Sequence, residues 1–390
     1  MSNRLRLSRR ATLVAAATAA LALAAPSAAL ASPAHHGGGD HHGGIVTVDQ
    51  VNLFSDLTGQ AAQVDPSLIN PWGLAFTPTS GVWISDQGTD LAQAVTLTPG
   101  QSSGAIAGVD VTFPGSAFPV GGPTGQVANA STGFILKDGK PASFIFDTLD
   151  GHIDAWDGGD GVKGAVETEV TSPAPAAYTG LAIASTRQGE ELFAADYGTG
   201  TVEVFNSAFQ PVKLASWQFQ DPWLAKQGYR PFNTQELDGY IFVTYDTLDP
   251  TPPKGDGPEG LGEGVGAVDE YTTGGRLIAR IAGGPLDAPW GLAIAPSGWG
   301  RAAGSLLVGN FGDGKINIFA KEGDHFARHA TGQVLVAPGQ PFAEPGLWAL
   351  LPGGTASNQG GTDALWFSAG IAAAPGGPTE QHGLVGVLRP

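Results

Sequence analysis

Asn70-Pro71-Trp72-Gly73-Leu74-Ala75-Phe76-Thr77-Pro78 returns with few changes as Ala288-Pro289-Trp290-Gly291-Leu292-Ala293-Ile294-Ala295-Pro296. A phrase repeated at long range marks a fold assembled from copies of one unit. Each copy leads to a second apolar run that ends in a polar turn, Val82 to Gly88 after the first and Leu306 to Gly312 after the second. The unit therefore reads as a strand, a return strand and a tight turn.

The glycine after the tryptophan serves as a ruler. Gly73 to Gly180 is 107 residues, Gly180 to Gly291 is 111, and Gly291 to Gly346 is 55. A period near 54 accounts for all three intervals and predicts two further copies, near residues 126 and 235. Thr124-Gly125-Gln126-Val127-Ala128 and Asn233-Thr234-Gln235-Glu236-Leu237 stand there, each followed by a strand-like run ending in aspartate. Six units of short strands imply an all-β, six-bladed β-propeller, the radial arrangement that protects sheet edges. The last unit shows three strands only, so Ile45 to Phe54 is expected to supply its outer strand and close the ring.

Composition agrees with many short strands and tight turns: 59 glycines, 29 prolines and no collagen-like period. There is no cysteine, so neither disulfides nor a thiolate site contributes. Residues 1–31 combine Arg4, Arg6, Arg9 and Arg10 with an Ala/Leu run and Ala29-Leu30-Ala31. That pattern reads as a signal peptide for a secreted or extracytoplasmic protein, exported by the Sec or the twin-arginine route. Cleavage after Ala31 would take the formal net charge from −17 to −21. Such a surface disfavours nucleic acid and anionic membrane, and no membrane span is expected in the mature chain. Residues 32–44 form a linker with His35, His36, His41 and His42, which reads either as a metal-capturing cluster or as a solvated spacer. Residues 45–390 are the propeller, expected to be a monomer.

Several sets of residues could carry function. Asp86, Asp147, Asp196 and Asp246, with Asn310 and Ser368, end the second strand of each unit. Carboxylates ringing a channel mouth would suit Ca²⁺, although Asp and Asn also cap tight turns by bonding their own backbone. Asn70, Trp72, Trp290 and Trp348 fall near the inner ends of three units, as an aromatic wall for a flat ligand or as filling for the hub. His382, with Glu380, lies in an insert expected on the top face and is the histidine placed to act as acid, base or ligand. The inserts Ala215 to Arg230, Leu248 to Gly266 and Ile371 to Gln381 are expected on the same face. Asp150-Gly151 reads as a hairpin turn with Asp154 on its exposed side. Gly100-Gln101-Ser102-Ser103-Gly104 matches the nucleophile-elbow pattern but lacks the flanking strand and helix that pattern needs.

The phrases around Trp72 and Trp290, Val308-Gly309-Asn310-Phe311-Gly312-Asp313-Gly314, Gly346-Leu347-Trp348-Ala349-Leu350 and His382-Gly383-Leu384 together resemble a family of uncharacterised secreted bacterial propellers. More remotely the chain is similar to NHL-repeat and gluconolactonase-like six-bladed propellers. That likeness implies a divalent cation in the central channel held by Glu, Asn and Asp, with Asn70, Asp246 and Asn310 as residues of the same kind. Two functions follow as expectations. One is a ligand-binding or interaction protein using the top face for a small molecule, glycan or peptide, with no cofactor required. The other is a calcium-dependent hydrolase of lactones or esters. A structural role in the envelope or matrix is compatible with both.

Overall fold

The computed structural model describes residues 44–114, 121–158, 163–249 and 259–390. The expected signal peptide, the histidine linker before Gly44 and the middle of the Leu248 to Gly266 insert lie outside the described residues.

The chain is a six-bladed β-propeller. Blade one is built from Pro71–Ala75, Val82–Asp86, Leu91–Thr96 and Ala105–Thr112, paired in that order from hub to rim. Blades two, four and five repeat this four-stranded plan, while blade three has three strands, Tyr178–Thr186, Gly189–Asp196 and Thr201–Asn206. Its missing outer strand is replaced by an irregular run in which the Val212 amide donates to the Val204 carbonyl at 2.7 Å. The strands of each blade are lettered a to d from hub to rim, and the top is taken as the end where strand a begins. Strands a and c then run down and strands b and d run up, so the b-to-c turns lie on top and the c-to-d turns underneath.

Inner strands pack against one another around the axis at Gly73, Gly125, Gly180, Asn233, Gly291 and Ala349. A Cβ on Gly73 would lie 2.6 Å from the Thr124 carbonyl oxygen, and one on Gly125 would lie 2.3 Å from the Leu181 nitrogen. That close approach explains why glycine recurs at this position. Two positions need no glycine, and there the spacing seen in the sequence shifts. Asn233 takes the place in blade four, donating to the Trp290 carbonyl at 2.8 Å, and Ala349 rather than Gly346 takes it in blade six.

Ring closure follows the expected scheme with a moved boundary. Asp49–Ser55 is the outer strand of blade six, antiparallel to His382–Arg389. Val46–Thr47 instead pairs parallel with Gly332–Ala337 of blade five, because Val46 and Val48 bury themselves among the apolar residues between blades five and six. The amino-terminal segment thus joins two blades.

Candidate functional site

The hub is filled by aromatic rings. Trp72 and Trp348 stack with centroids 3.5 Å apart and planes 18° from parallel, and Trp290 stands edge-on to both. Phe311 and Phe232 pack against Trp348 from other blades. All three tryptophans are buried, Trp348 completely. Trp290 Nε1 donates to the Thr179 carbonyl at 2.8 Å and Trp348 Nε1 to Asn70 Oδ1 at 2.9 Å, whereas Trp72 Nε1 has no acceptor. Beneath the rings a cavity of about 20 Å³ lies among inner strands from all six blades. It has room for about one water molecule. The axis is a packed plug, so the tryptophans form a floor below the top face.

The polar residues ending strand b do not make one ring. Asp86, Asp196 and Asn310 sit opposite Pro71, Tyr178 and Pro289 of their inner strands. Asp147 and Ser368 stand one residue earlier in register, and Asp246 one residue later, opposite Arg230. A one-residue offset turns a strand side chain to the other face. Their partners differ accordingly. Asp147 Oδ1 accepts from the Thr124 hydroxyl at 2.8 Å, and that hydroxyl also reaches the Tyr178 carbonyl of the next blade at 2.9 Å. The Ser368 hydroxyl donates to the Trp72 carbonyl across the blade six to blade one junction. Asp196 caps its own turn, accepting from the Thr199 amide at 3.0 Å and its hydroxyl at 2.6 Å. Asn310 donates to the Pro285 carbonyl at 2.8 Å. Asp246 Oδ2 accepts from the Gly260 amide at 3.0 Å and the Tyr197 hydroxyl at 3.3 Å.

Burial dominates the electrostatics of these groups. It pushes the Asp147 carboxyl up to about 7 and Asp246 up to about 8. Asp86 is fully buried with neither oxygen in a hydrogen bond, and burial together with the neighbouring Asp65 drives it well above the ordinary carboxylate range. Among the described residues no three His, Asp or Glu side chains come together so as to hold a metal ion. Asp147, Asp196 and Asp246 thus turn to separate partners.

The top face carries a different arrangement. His382 Nδ1 is 2.5 Å from Asp56 Oδ2, and Asp56 Oδ1 accepts from the Gly383 amide at 2.9 Å. The imidazole is about a quarter exposed. Asp56 follows the closing strand of blade six and reaches the histidine across 326 sequence positions, so nothing local in the sequence announces it. Beside them, Asn70 Nδ2 donates to Gln87 Oε1 at 2.9 Å and approaches Glu380 Oε1 at 3.4 Å. Asn70 and Glu380 both adopt left-handed backbone, with φ of 49° and 65°. Non-glycine residues held in that region cluster at sites where the surroundings overdetermine the chain. Asn70 thus links plug and rim, and His382, Glu380 and Asn70 meet at one edge of the top face.

Other expected features move. The Ala215 to Arg230 insert is anchored underneath, where the Phe219 amide donates to the Gly275 carbonyl at 2.8 Å in the c-to-d turn of blade four. It then returns through the short helix Pro222–Ala225, whose Leu224 is buried between blades three and four and whose cap Asp221 forms an ion pair with Arg280. Its Trp217 and Trp223 are exposed, with the Arg280 guanidinium 4.8 Å from the Trp223 ring centroid. Asp154 is fully buried, because its strand turns it toward the aromatic packing between blades one and two, and burial pushes it up to about 6. Ser102 and Ser103 lie in the exposed c-to-d turn of blade one, with no helix after them.

No protein-family model matches the sequence. An uncharacterised protein of Acanthamoeba polyphaga mimivirus, R648, is 30% identical over 324 residues, covering 80% of this chain and 76% of that protein. A second uncharacterised mimivirus protein, L690, is 28% identical over 325 residues, covering 77% of each. Among solved structures, an α-L-arabinofuranosidase from Fusarium graminearum superposes with a TM-score of 0.52 at 12% identity, covering 87% of this chain and 97% of that one. That likeness is one of fold.

Proposed function

The chain belongs to the same family as mimivirus R648, and on that premise we propose that it is an exported, non-catalytic propeller that binds a glycan or peptide at its top rim. The observation behind this reading is the bond between His382 and Asp56 beside Asn70 and Glu380. With Nδ1 engaged by Asp56, Nε2 is the ring nitrogen left to meet a ligand hydroxyl or amide. Export rests on the arginines and the Ala/Leu run of residues 1–31, and kinship with secreted bacterial propellers belongs to the same reading. Net negative charge argues for a neutral or basic ligand. Among the described residues no helix is long and apolar enough to cross a membrane.

A histidine oriented by a carboxylate is also the arrangement of a general base, so hydrolysis is the second reading. A calcium-dependent version would need oxygens converging on the hub, and the described carboxylates point to separate partners. Glycan and peptide arrays probed with the purified protein separate the readings. Binding should fall at least tenfold in His382→Ala and in Asp56→Asn. Undiminished binding in both variants would overturn the rim assignment. Turnover of ester or lactone substrates that is lost in His382→Ala would make the protein an enzyme instead.

A further inference from the structure

Away from the top rim, a cleft of about 570 Å³ opens between the outer strand of blade four, Leu277–Ala282, and blade five. Ile281, Phe319 and Leu335 form an apolar floor, and Ile45 stands largely exposed at its edge. The opposite wall exists because blade five leaves its third strand, Ile316–Phe319, for the small hairpin Lys321–Glu322 and His325–Phe326 before rejoining the sheet. The Ala327 amide closes this excursion on the Ala320 carbonyl at 2.8 Å, and the Thr331 amide closes it again on Ile318 at 2.7 Å. Arg328 and His329 are held between these two bonds and line the cleft.

Neither side chain forms a hydrogen bond or ion pair among the described residues. Both are exposed to solvent and so open to a ligand. Arg280, on the other face of the strand that carries Ile281 and outside the cleft lining, is committed to Asp221 and Asp269. Arg328 lies close enough to repel it, which helps hold Arg280 below its ordinary range after the larger effect of its burial. An uncommitted guanidinium with an imidazole beside it, at the end of an apolar trough, is complementary to an amphipathic anion. The volume suits a small molecule and is too small for a folded partner.

We infer that the cleft between blades four and five binds a small amphipathic carboxylate, its carboxyl group on Arg328 and His329 and its apolar body along Ile281, Phe319 and Leu335. This site is separate from the top rim and does not depend on the reading given to His382.

Calorimetric titration of the full chain with decanoate, decanol and decyltrimethylammonium, each below its micelle concentration, tests it. Decanoate should bind one to one, decanol at least tenfold more weakly, and the cation without saturation. Arg328→Ala removes an exposed side chain with no partner, so it should leave the melting temperature unchanged while weakening decanoate at least tenfold. His382→Ala should bind decanoate as the parent does. Absence of decanoate binding, equal affinity for decanol, or full affinity in Arg328→Ala would each overturn the inference.

Discussion

Trp348 lies face to face with Trp72, meets Trp290 and Phe311 from blade five, and spends its single polar hydrogen on Asn70. Truncating a side chain with that many fixed neighbours leaves a cavity the surrounding strands cannot close. Trp348→Ala should cost about 3–5 kcal/mol in urea unfolding. A loss below about 1 kcal/mol would mean that the hub relaxes around the gap. The buried carboxyls predict a second behaviour at this scale. Burial holds Asp147, Asp154 and Asp246 at about 7, 6 and 8, against the ordinary 3.8 of an aspartate carboxyl. Between about pH 4 and 8 the folded chain therefore binds more protons than the unfolded chain, and stability falls as pH rises through that window. The melting temperature should be higher at pH 5 than at pH 8.5, and Asp147→Asn should flatten the difference. A melting temperature that rises toward pH 8.5 would contradict the burial assignment.

At the scale of strands, the spacing of the inner-strand glycines reflects contact between neighbouring blades. Gly125→Ala would drive a Cβ to 2.3 Å from backbone of the next blade and should cost about 2–3 kcal/mol. In Gly274→Ala the new carbon meets nothing closer than 3.8 Å, so that variant should unfold like the parent. Equal urea midpoints for the two would show that the inner strands are not close-packed. The same strands show where sequence reading loses resolution. A period of about 54 was legible because each blade needs one close-approach residue. Whether the polar residue ending strand b faces one neighbour, the other or the hub depends on a one-residue register. Every inner strand carries an equivalent bulge, as between Pro71 and Leu74 and between Pro231 and Asn233, so pairing is common to the blades. What differs is where the polar residue falls along strand b, which shows only once the strands are paired.

For the whole molecule, closure depends on Asp49–Ser55 lying along His382–Arg389. Deleting Asp49–Ser55 should expose that strand edge and cause association, visible in size-exclusion chromatography, with loss of a sharp melting transition. A monomeric deletion variant that melts as cooperatively as the parent would show that the ring closes without it. The same closure delivers Asp56 to His382, so one connection completes the ring and orients the histidine.

From its residues alone the chain declared its blade count, its strand order and the source of its last outer strand, because period and alternation are local consequences of how strands twist and pack. His382 stood out as the histidine of a top-face insert, and Asn70 and Trp72 as residues near the axis. Their partners arose only on folding. Asp56 for His382, Asn70 for Trp348 and Arg328 beside Arg280 are pairings between distant positions, and such contacts depend on the rotation of one blade against the next. That rotation is an outcome of packing around the plug, and no short stretch of sequence records it.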